Sequence, residues 1–161
     1  MSEAAHWIRL SSAPEAARSA AYEIRGSLCL TTLGVFAEWA GTLGFPGYFG
    51  YNWDAFEDCM FTVARPGPRG PDGEPRAPLT IVVRDAAGLL ADEPPRQLAT
   101  LLDVLSDVAG RCSVRRPSSP VRDPRLLLLL HDSPAHLDEL ARRMEQAGFT
   151  VPGPDSWDLP R

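Results

Sequence analysis

The chain has 161 residues and a formal net charge of −5, with 44% hydrophobic and 23% charged residues. This length fits one ordinary domain with additions, and the hydrophobic fraction is sufficient for a buried core. Direct binding of nucleic acid is not expected, because contacts with phosphates require a basic surface. An acidic protein instead suits a basic protein partner.

Cysteine usage and apolar runs narrow the class of protein further. Cys29, Cys59 and Cys112 are odd in number and widely spaced, so we expect buried free thiols and neither a zinc site nor a disulfide framework. The apolar run Leu126–Leu130 is far shorter than the roughly 20 residues of a membrane span, and the N-terminus lacks the apolar region of a signal peptide. We therefore expect a cytoplasmic protein without membrane contact and without a cofactor. All 16 basic residues are arginine, a bias typical of a GC-rich genome.

The first half of the chain predicts two strands and two helices. Residues 6–10 are a candidate for a short added strand, and residues 21–25 alternate like a half-buried strand that ends at Gly26. A helix is predicted over residues 32–43, with one apolar face formed by Leu33, Phe36, Ala37, Ala40 and Leu43. A loop rich in glycine and aromatic residues follows, and Asn52 caps a second helix that runs to about Val63.

The second half predicts a strand at residues 79–83, a helix over 95–110, a central strand at 126–130 and a helix over 134–146 that begins at Ser133-Pro134. Residues 149–151 are a candidate for one more short strand. Residues 65–78 and 113–124 are rich in proline, glycine and arginine and are predicted to be flexible loops. A proline-rich ligand is the alternative for the first of them. The order of elements favours an α/β fold with a parallel sheet and right-handed crossovers.

The second helix carries an unusual charge pattern. Asp54, Glu57 and Asp58 lie together beside its apolar stripe, and no basic residue occurs between residues 45 and 64. Like charges at the i, i+4 spacing of Asp54 and Asp58 destabilise a helix by a few tenths of a kcal/mol. An ordinary solvated face is one interpretation. Because Tyr48 and Tyr51 in the preceding loop are poor choices for a plain turn, a binding surface for a basic partner is the other.

The segment FPGYFGYNWDAFEDC, residues 45–59, resembles the signature of the barstar family. In that family a proline, two aromatic residues and a glycine precede an asparagine-capped helix that carries two aspartates four residues apart, followed by a cysteine. The resemblance extends over residues 20–132 and implies a three-stranded parallel sheet packed with helices. Residues 1–19 would then be an N-terminal extension and residues 133–161 an added C-terminal helix and tail. The loops at 65–78 and 113–124 would be insertions, and further edge strands would be additions.

The resemblance also implies a function. Members of the family are intracellular protein inhibitors, not enzymes, whose acidic helix and preceding loop plug a ribonuclease active site. By analogy, Tyr48 would stack in the cleft, and Asp54 and Asp58 would occupy phosphate positions. The implied partner is a basic bacterial ribonuclease or toxin nuclease domain, and the free protein would be a monomer. The residues implied to bind the partner are Tyr48, Asn52, Trp53, Asp54, Glu57, Asp58 and Phe61.

The chain departs from the family pattern at several positions. Tyr51 stands where the family has Glu, and Glu57 stands where it often has Trp. The family's acidic contact on the later long helix falls on Ser106, so that Asp103 or Asp107 would have to replace it. These departures leave the implied fold intact and indicate a partner from another ribonuclease subclass or a secreted polymorphic toxin.

Two other classes of function stay open at this stage. One is a barstar-like scaffold that binds a different basic protein without inhibiting a nuclease. The other is a hydrolase built on His131, Asp132 and Ser133, which follow a buried strand. Helix capping by Asp132 or Ser133 is the simpler explanation of these residues, since no nucleophile-elbow motif is present. Metal binding by the acidic helix with His131 lacks any supporting ligand spacing.

Overall fold

The computed structural model describes residues 7–14, 18, 20–65, 78–115 and 122–150. The strands are β1 (Ile8–Ser11), β2 (Tyr22–Arg25), β3 (Leu79–Arg84), β4 (Val114–Arg115), β5 (Arg122–Asp123) and β6 (Leu126–His131). The helices are α1 (Thr32–Leu43), α2 (Trp53–Ala64), α3 (Pro95–Arg111) and α4 (Pro134–Gln146). Short 3-10 turns follow β2 and β3.

The main sheet has four parallel strands in the order β1-β6-β3-β2. The predicted α/β class and parallel sheet are confirmed, and the sheet has one strand more than the three that the resemblance implies, at the place of the candidate added strand 6–10. The additional strand is β1, which lies at the edge of the sheet and pairs with β6. The other candidate strand does not form at residues 149–150, and residue 151 lies outside the described part of the chain.

One face of the sheet carries the main hydrophobic core. Ile24, Ile81, Val83, Leu128 and Leu130 are buried there against the four helices. Strand side chains alternate between the two faces, so every second residue of β3 and β6 points into this core. The helices α1, α2 and α3 supply the aromatic and leucine side chains that complete it.

The opposite face of the sheet has a smaller buried cluster, in which Val82 and Leu129 pack with Ala20. Its position follows from chain direction. The connections β2 to β3 and β3 to β6 step one way across the sheet on the helical face, whereas β1 to β2 steps the other way. A right-handed crossover accordingly puts Ala20, which precedes β2, on the opposite face.

Polar contacts anchor α1 at its N-terminus and at its centre. The Thr31 side chain caps the helix, and Glu93 accepts a hydrogen bond from the Thr32 amide at 2.7 Å. The buried carboxylate of Glu38 accepts hydrogen bonds from the Arg25 amide, Nε and Nη2, each at 3.0 Å. This contact joins α1 to the end of β2, where Gly26 is required because a Cβ would collide with the backbone oxygens of the turn after β3.

The buried face of α1 differs from the predicted one. Phe36 and Leu43 are buried as expected, but Leu33 is 65% exposed and Ala37 is also exposed. The helix instead turns Val35, Glu38 and Trp39 inward. The Glu38–Arg25 ion pair holds that side of the helix against β2, and this tertiary contact is absent from the periodic pattern of apolar residues.

The added α4 packs its buried residues Leu137, Leu140 and Met144 onto the core beside β1. After α4, the ring of Phe149 meets the ring of Trp7 edge to face at 6.0 Å. In the predicted loop 113–124, β4 and β5 form a two-stranded antiparallel ladder, and residues 116–121 lie outside the description. The predicted flexible loop 65–78 falls mostly on residues 66–77, which are also outside it.

Candidate protein-binding site

The loop before α2 is built on an aromatic cluster. The ring of Phe36 on α1 lies 5.7 Å from Phe49, 4.9 Å from Trp53 and 5.8 Å from Phe56. Phe45 closes the cluster from the other side, 5.2 Å from Phe49. Edge-to-face contacts of this kind add to the burial energy and fix ring orientation. The loop is therefore held to the core at both of its ends.

Two polar contacts fix the start of α2. The Asn52 side chain accepts a hydrogen bond from the Ala55 amide at 2.8 Å, a cap that stabilises a helix by about 1 kcal/mol. The indole of Trp53 donates to the Gln97 side chain on α3 at 3.1 Å. Because Asn52 and Trp53 are engaged within the protein, their contribution to the site is to position α2.

Three of the predicted contact residues project into solvent. Tyr48 is 85% exposed at the tip of the loop, and Asp54 and Asp58 are exposed on successive turns of α2. Asp54 lies in the first turn, where the helix dipole stabilises a negative charge. In the part of the chain that the structure describes, neither aspartate forms an ion pair. Asp54 and Asp58 together form an exposed acidic ridge on α2, and Tyr48 adds an exposed aromatic ring in the loop before it.

Tyr51 has an unusual backbone conformation. Its φ of 53° lies in the left-handed region, which costs a non-glycine residue about 1–3 kcal/mol. Its ring lies 5.0 Å from Phe49 and 6.4 Å from Phe36, and the residue is still 51% exposed. The side chain is therefore oriented by the cluster beneath it and presented to solvent beside α2.

The remaining acidic residue of α2 meets α3. A hydrogen bond with Asp107, followed by burial and by repulsion from Asp107, raises the pKa of Glu57. Asp107 in turn forms an ion pair with Arg111, whose Nε lies 3.4 Å from its carboxylate, and the Arg111 guanidinium lies 6.0 Å above the half-buried Phe61 ring. Of the two candidate acidic residues on α3, Asp107 lies beside the acidic helix, whereas Asp103 is exposed with no contact to it among those described.

The residues considered for hydrolysis have structural partners. Asp132 accepts hydrogen bonds from the Ala87 amide at 3.0 Å and from the Ser133 amide at 2.7 Å, and its Oδ1 lies 2.9 Å from the His136 Nδ1. The Ser133 hydroxyl caps α4 by accepting from the His136 amide. Helix capping thus accounts for Ser133, and Asp132 links the start of α4 to the turn after β3. Among the described residues, the buried Nε2 of His131 has no hydrogen-bond partner.

Metal ligands and reactive thiols are not assembled among the described residues. No group of three or more histidine, cysteine, aspartate and glutamate side chains there could hold a metal ion. Cys29, Cys59 and Cys112 are buried free thiols, as predicted. Burial raises the pKa of Cys29 to about 12, so its nucleophilic thiolate is scarce at neutral pH. No helix in the described ranges is both long and apolar enough to cross a bilayer.

The seven predicted contact residues lie in the loop before α2 or on α2 itself, but in different roles. Tyr48, Asp54 and Asp58 are free to meet a partner, Glu57 and Phe61 are half-buried along α3, and Asn52 and Trp53 are anchors. Sequence reasoning missed Arg111, although its i, i+4 spacing from Asp107 is a usable signal. It also missed the exposure of Leu33, for which the sequence has no local signal.

The comparison with known protein families identifies one family. A family described as Barstar (barnase inhibitor) matches residues 20–125, which span β2 to the start of β6 and include the whole acidic helix. No curated protein matches the chain at significant similarity. The match implies, for the family, inhibition of a ribonuclease of the barnase type through protein binding, not catalysis. The chain belongs to the barstar family.

Proposed function

We propose that this protein is a cytoplasmic inhibitor of a ribonuclease or of a toxin nuclease domain, and that α2 with the loop 45–52 enters the basic active site of that enzyme. The observation that carries the proposal is the acidic ridge. Asp54 and Asp58 are exposed and form no ion pair in the described part of the chain, although their side chains stand on a firmly anchored helix. Tyr48, 85% exposed, stands in the loop that leads into the same helix.

The chemistry of the ridge suits a nuclease. A nuclease active site gathers arginine, lysine and histidine side chains to bind phosphate groups, and carboxylate oxygens are matched acceptors for the same donors. Asp54 and Asp58 would therefore occupy phosphate positions, and Tyr48 would stack where a base binds. The acidic surface would also accelerate association with a basic enzyme through electrostatic steering.

Anchoring of the ridge supports tight binding. The Trp53–Gln97 hydrogen bond and the Asn52 cap hold α2 in place before the partner arrives. The aromatic cluster does the same for the loop. Little conformational freedom then has to be lost on association, and this pre-organisation raises affinity without new contacts.

A second candidate function is a scaffold that binds another basic protein without blocking a nuclease. Glu57 and Tyr51 favour it, because they replace residues that are typical of the family. Glu57 is also engaged with Asp107 and is less available to a partner than the two aspartates. Both functions use the same face of the molecule, and only a nuclease assay separates them.

The test is inhibition of a panel of guanyl-specific ribonucleases and toxin nuclease domains by wild type, by Asp58→Ala and by Asp138→Ala. Asp138 is an exposed aspartate on α4 and serves as the matched control. We expect stoichiometric inhibition by wild type and Asp138→Ala. Asp58→Ala should weaken it by about 2–5 kcal/mol, the usual cost of truncating a buried charge at an interface, a range to which complexes of this family themselves contribute.

Equal loss of inhibition in both variants would show that the charge of the whole protein, and not the ridge, determines binding. No inhibition of any nuclease by a folded wild-type protein would overturn the proposed function. The scaffold function would then be favoured.

A further inference from the structure

We infer that the two-stranded ladder of β4 and β5 extends the binding face beyond the acidic ridge, and that it contacts an acidic surface at the rim of the nuclease's basic cleft. This inference rests on the proposed function and adds a second feature of the partner to it. The ladder, residues 114–115 and 122–123, is called the arginine ladder below.

Charge is strongly segregated along this chain. Residues 45–64 contain three acidic residues and no basic one. Residues 111–125 contain one acidic residue and five arginines, namely Asp123 and Arg111, Arg115, Arg116, Arg122 and Arg125. Arg125 is buried, Arg111 forms an ion pair with Asp107, and residue 116 lies outside the described part of the chain. The inference therefore concerns Arg115 and Arg122, the two arginines that the ladder itself contains.

The register of the ladder sets like charges opposite one another. Arg115 pairs directly with Arg122, and Val114 pairs with Asp123. Opposed positions of an antiparallel pair are neighbours, and like charges at such positions destabilise it, whereas opposite charges stabilise it. The stability of the ladder therefore does not explain the two arginines. A local cost of this kind is expected at residues retained for function.

The ladder leaves the chain beside the acidic helix. Cys112 Sγ at the end of α3 lies 3.9 Å from the Phe61 carbonyl oxygen on α2, and the Arg111 guanidinium lies 6.0 Å from the centre of the Phe61 ring. The strand β4 begins at Val114, two residues after Cys112. Asp58 precedes Phe61 by three residues, a rise of about 4.5 Å along the helix. The base of the arginine ladder and the acidic ridge are therefore neighbours along α2.

The size of a stable interface includes the base of the ladder. Each partner in a standard complex buries about 800 Å², which corresponds to a patch roughly 16 Å in radius. A patch centred on Asp58 therefore extends past the C-terminal end of α2, which is about 9 Å away along the helix axis. If the basic cleft continued to that point, it would set cations against Arg115 and Arg122. Complementary charge at this place requires an acidic surface on the partner.

Protein is favoured over nucleic acid as the anionic partner of the ladder. The chain has a net charge of −5, and the acidic ridge next to the ladder repels phosphate groups. An enzyme surface with a basic cleft and an acidic rim has no such conflict, because its two charges match the ridge and the ladder in turn.

The experiment measures inhibition constants for Arg115→Glu, Arg122→Glu and the control Arg142→Glu against a ribonuclease of the panel that wild type inhibits. Each ladder variant replaces a pair of like charges by a pair of opposite charges, so the ladder should be preserved. Arg142 is an exposed arginine on α4 and receives the same change of charge. We expect each ladder variant to raise the inhibition constant by roughly tenfold or more, and Arg142→Glu not to raise it.

The direction of the change is decisive. Without a contact, replacement of arginine by glutamate makes the inhibitor more acidic and strengthens its attraction to a basic enzyme. Against an acidic surface, the same replacement sets negative charges together and weakens binding. Unchanged or tighter inhibition by either ladder variant would overturn this inference alone, provided that Asp58→Ala still loses inhibition. An equal rise of the inhibition constant for Arg142→Glu would also overturn it, because the effect would not be local.

Two further measurements separate charge from structure and protein from nucleic acid. The neutral variant Arg122→Gln should raise the inhibition constant less than Arg122→Glu, and equal rises would attribute the loss to structure and overturn the inference. Binding of a single-stranded RNA oligonucleotide by wild type, lost in Arg122→Glu, would assign the ladder to nucleic acid and overturn it as well. Absence of inhibition by wild type would overturn the proposed function and, with it, the inference that rests on it.

Discussion

Acidic side chains lie near the N-termini of both α2 and α4, but their surroundings are opposite. At α4, Asp132 accepts a hydrogen bond from the Ala87 amide at 3.0 Å and contacts the His136 ring at 2.9 Å. At α2, Asp54 and Asp58 are exposed, and neither forms an ion pair with any residue that the structure describes. The same type of side chain is hydrogen-bonded within the protein at α4 and exposed to solvent at α2.

The difference separates a structural carboxylate from one retained for a partner. Asp132 connects the added α4 to the turn after β3, a connection that Arg143 reinforces through the Ala87 and Leu89 carbonyls. Asp54 and Asp58 make no comparable connection to any residue that the structure describes, and they repel one another at the i, i+4 spacing. This repulsion lowers the stability of the helix without a compensating contact inside the protein, a pattern that is expected of residues retained for function.

The largest expected difference between the two helices is in the free energy of unfolding when Asp132 or Asp58 is replaced by alanine. Asp132→Ala leaves several polar groups without their acceptor, so we expect it to lower the free energy of unfolding by about 2 kcal/mol. Asp58→Ala should change it by less than about 0.5 kcal/mol, as is usual for exposed positions. Urea denaturation at pH 7 measures both values. If Asp58→Ala lowered the free energy of unfolding as much as Asp132→Ala does, Asp58 would have a partner inside the protein. The distinction between the two helices would then be wrong.

The pH dependence of stability should also differ between the two helices. The hydrogen bond with Asp132 raises the pKa of His136 above its ordinary value. The pair therefore stabilises the fold fully below the unfolded-state pKa of about 6.5, and this contribution is lost as the pH rises through the raised pKa. His136→Gln should lie below wild type in unfolding free energy near pH 5.5, and the gap should close by pH 8.5.

The same urea series on Asp54→Asn provides the control for that window, because this substitution leaves the Asp132–His136 contact intact. Its difference from wild type should stay constant between pH 5.5 and 8.5. Parallel curves for wild type and His136→Gln would instead show that the Asp132–His136 contact does not stabilise α4.

The smallest expected effect on the free energy of unfolding concerns Glu57. Its carboxylate is less exposed than those of Asp54 and Asp58 but has fewer internal partners than that of Asp132. Its raised pKa, caused first by the hydrogen bond with Asp107, means that the folded chain holds this proton more tightly than the unfolded chain. The associated stability is present below the unfolded pKa of about 4.3 and is lost as the pH rises through the folded value. Glu57→Gln should therefore add a few tenths of a kcal/mol at pH 7 and almost nothing at pH 4. Destabilisation by this substitution at pH 7 would show that the Glu57 charge has a stabilising contact.

Local signals predicted the elements well. The caps at Asn52 and Ser133 and the stop at Gly44 mark the ends of α1, α2 and α4 to within a residue. These boundaries are readable because capping chemistry acts within a few residues of the helix end. The run Leu126–Leu130 likewise predicted a central strand, since only a strand with neighbours on both sides buries such a run.

Contacts between elements that are far apart in the sequence could not be predicted from it. The pairing of Glu57 with Asp107 depends on how far α2 is shifted along α3, and the engagement of Trp53 with Gln97 depends on the same shift. The exposure of Leu33 depends on the rotation of α1 that the Glu38–Arg25 ion pair sets. Each of these three features depends on tertiary packing, which the local pattern of residues in a single sequence does not reveal.

The pairing of β1 with β6 has a consequence for synthesis of the chain. Ile8 lies opposite Leu128, 120 positions later, so β1 leaves the ribosome long before its hydrogen-bond partner exists. At about 5–20 residues per second, the delay is roughly ten seconds. When β6 does emerge, its leucine-rich edge is open to pairing with another nascent chain until β1 covers it. Because β1 is already synthesised at that point, it can pair with β6 at once and protect this edge from intermolecular pairing. Deletion of β1 should therefore cause aggregation during expression, even where the remaining fold is stable.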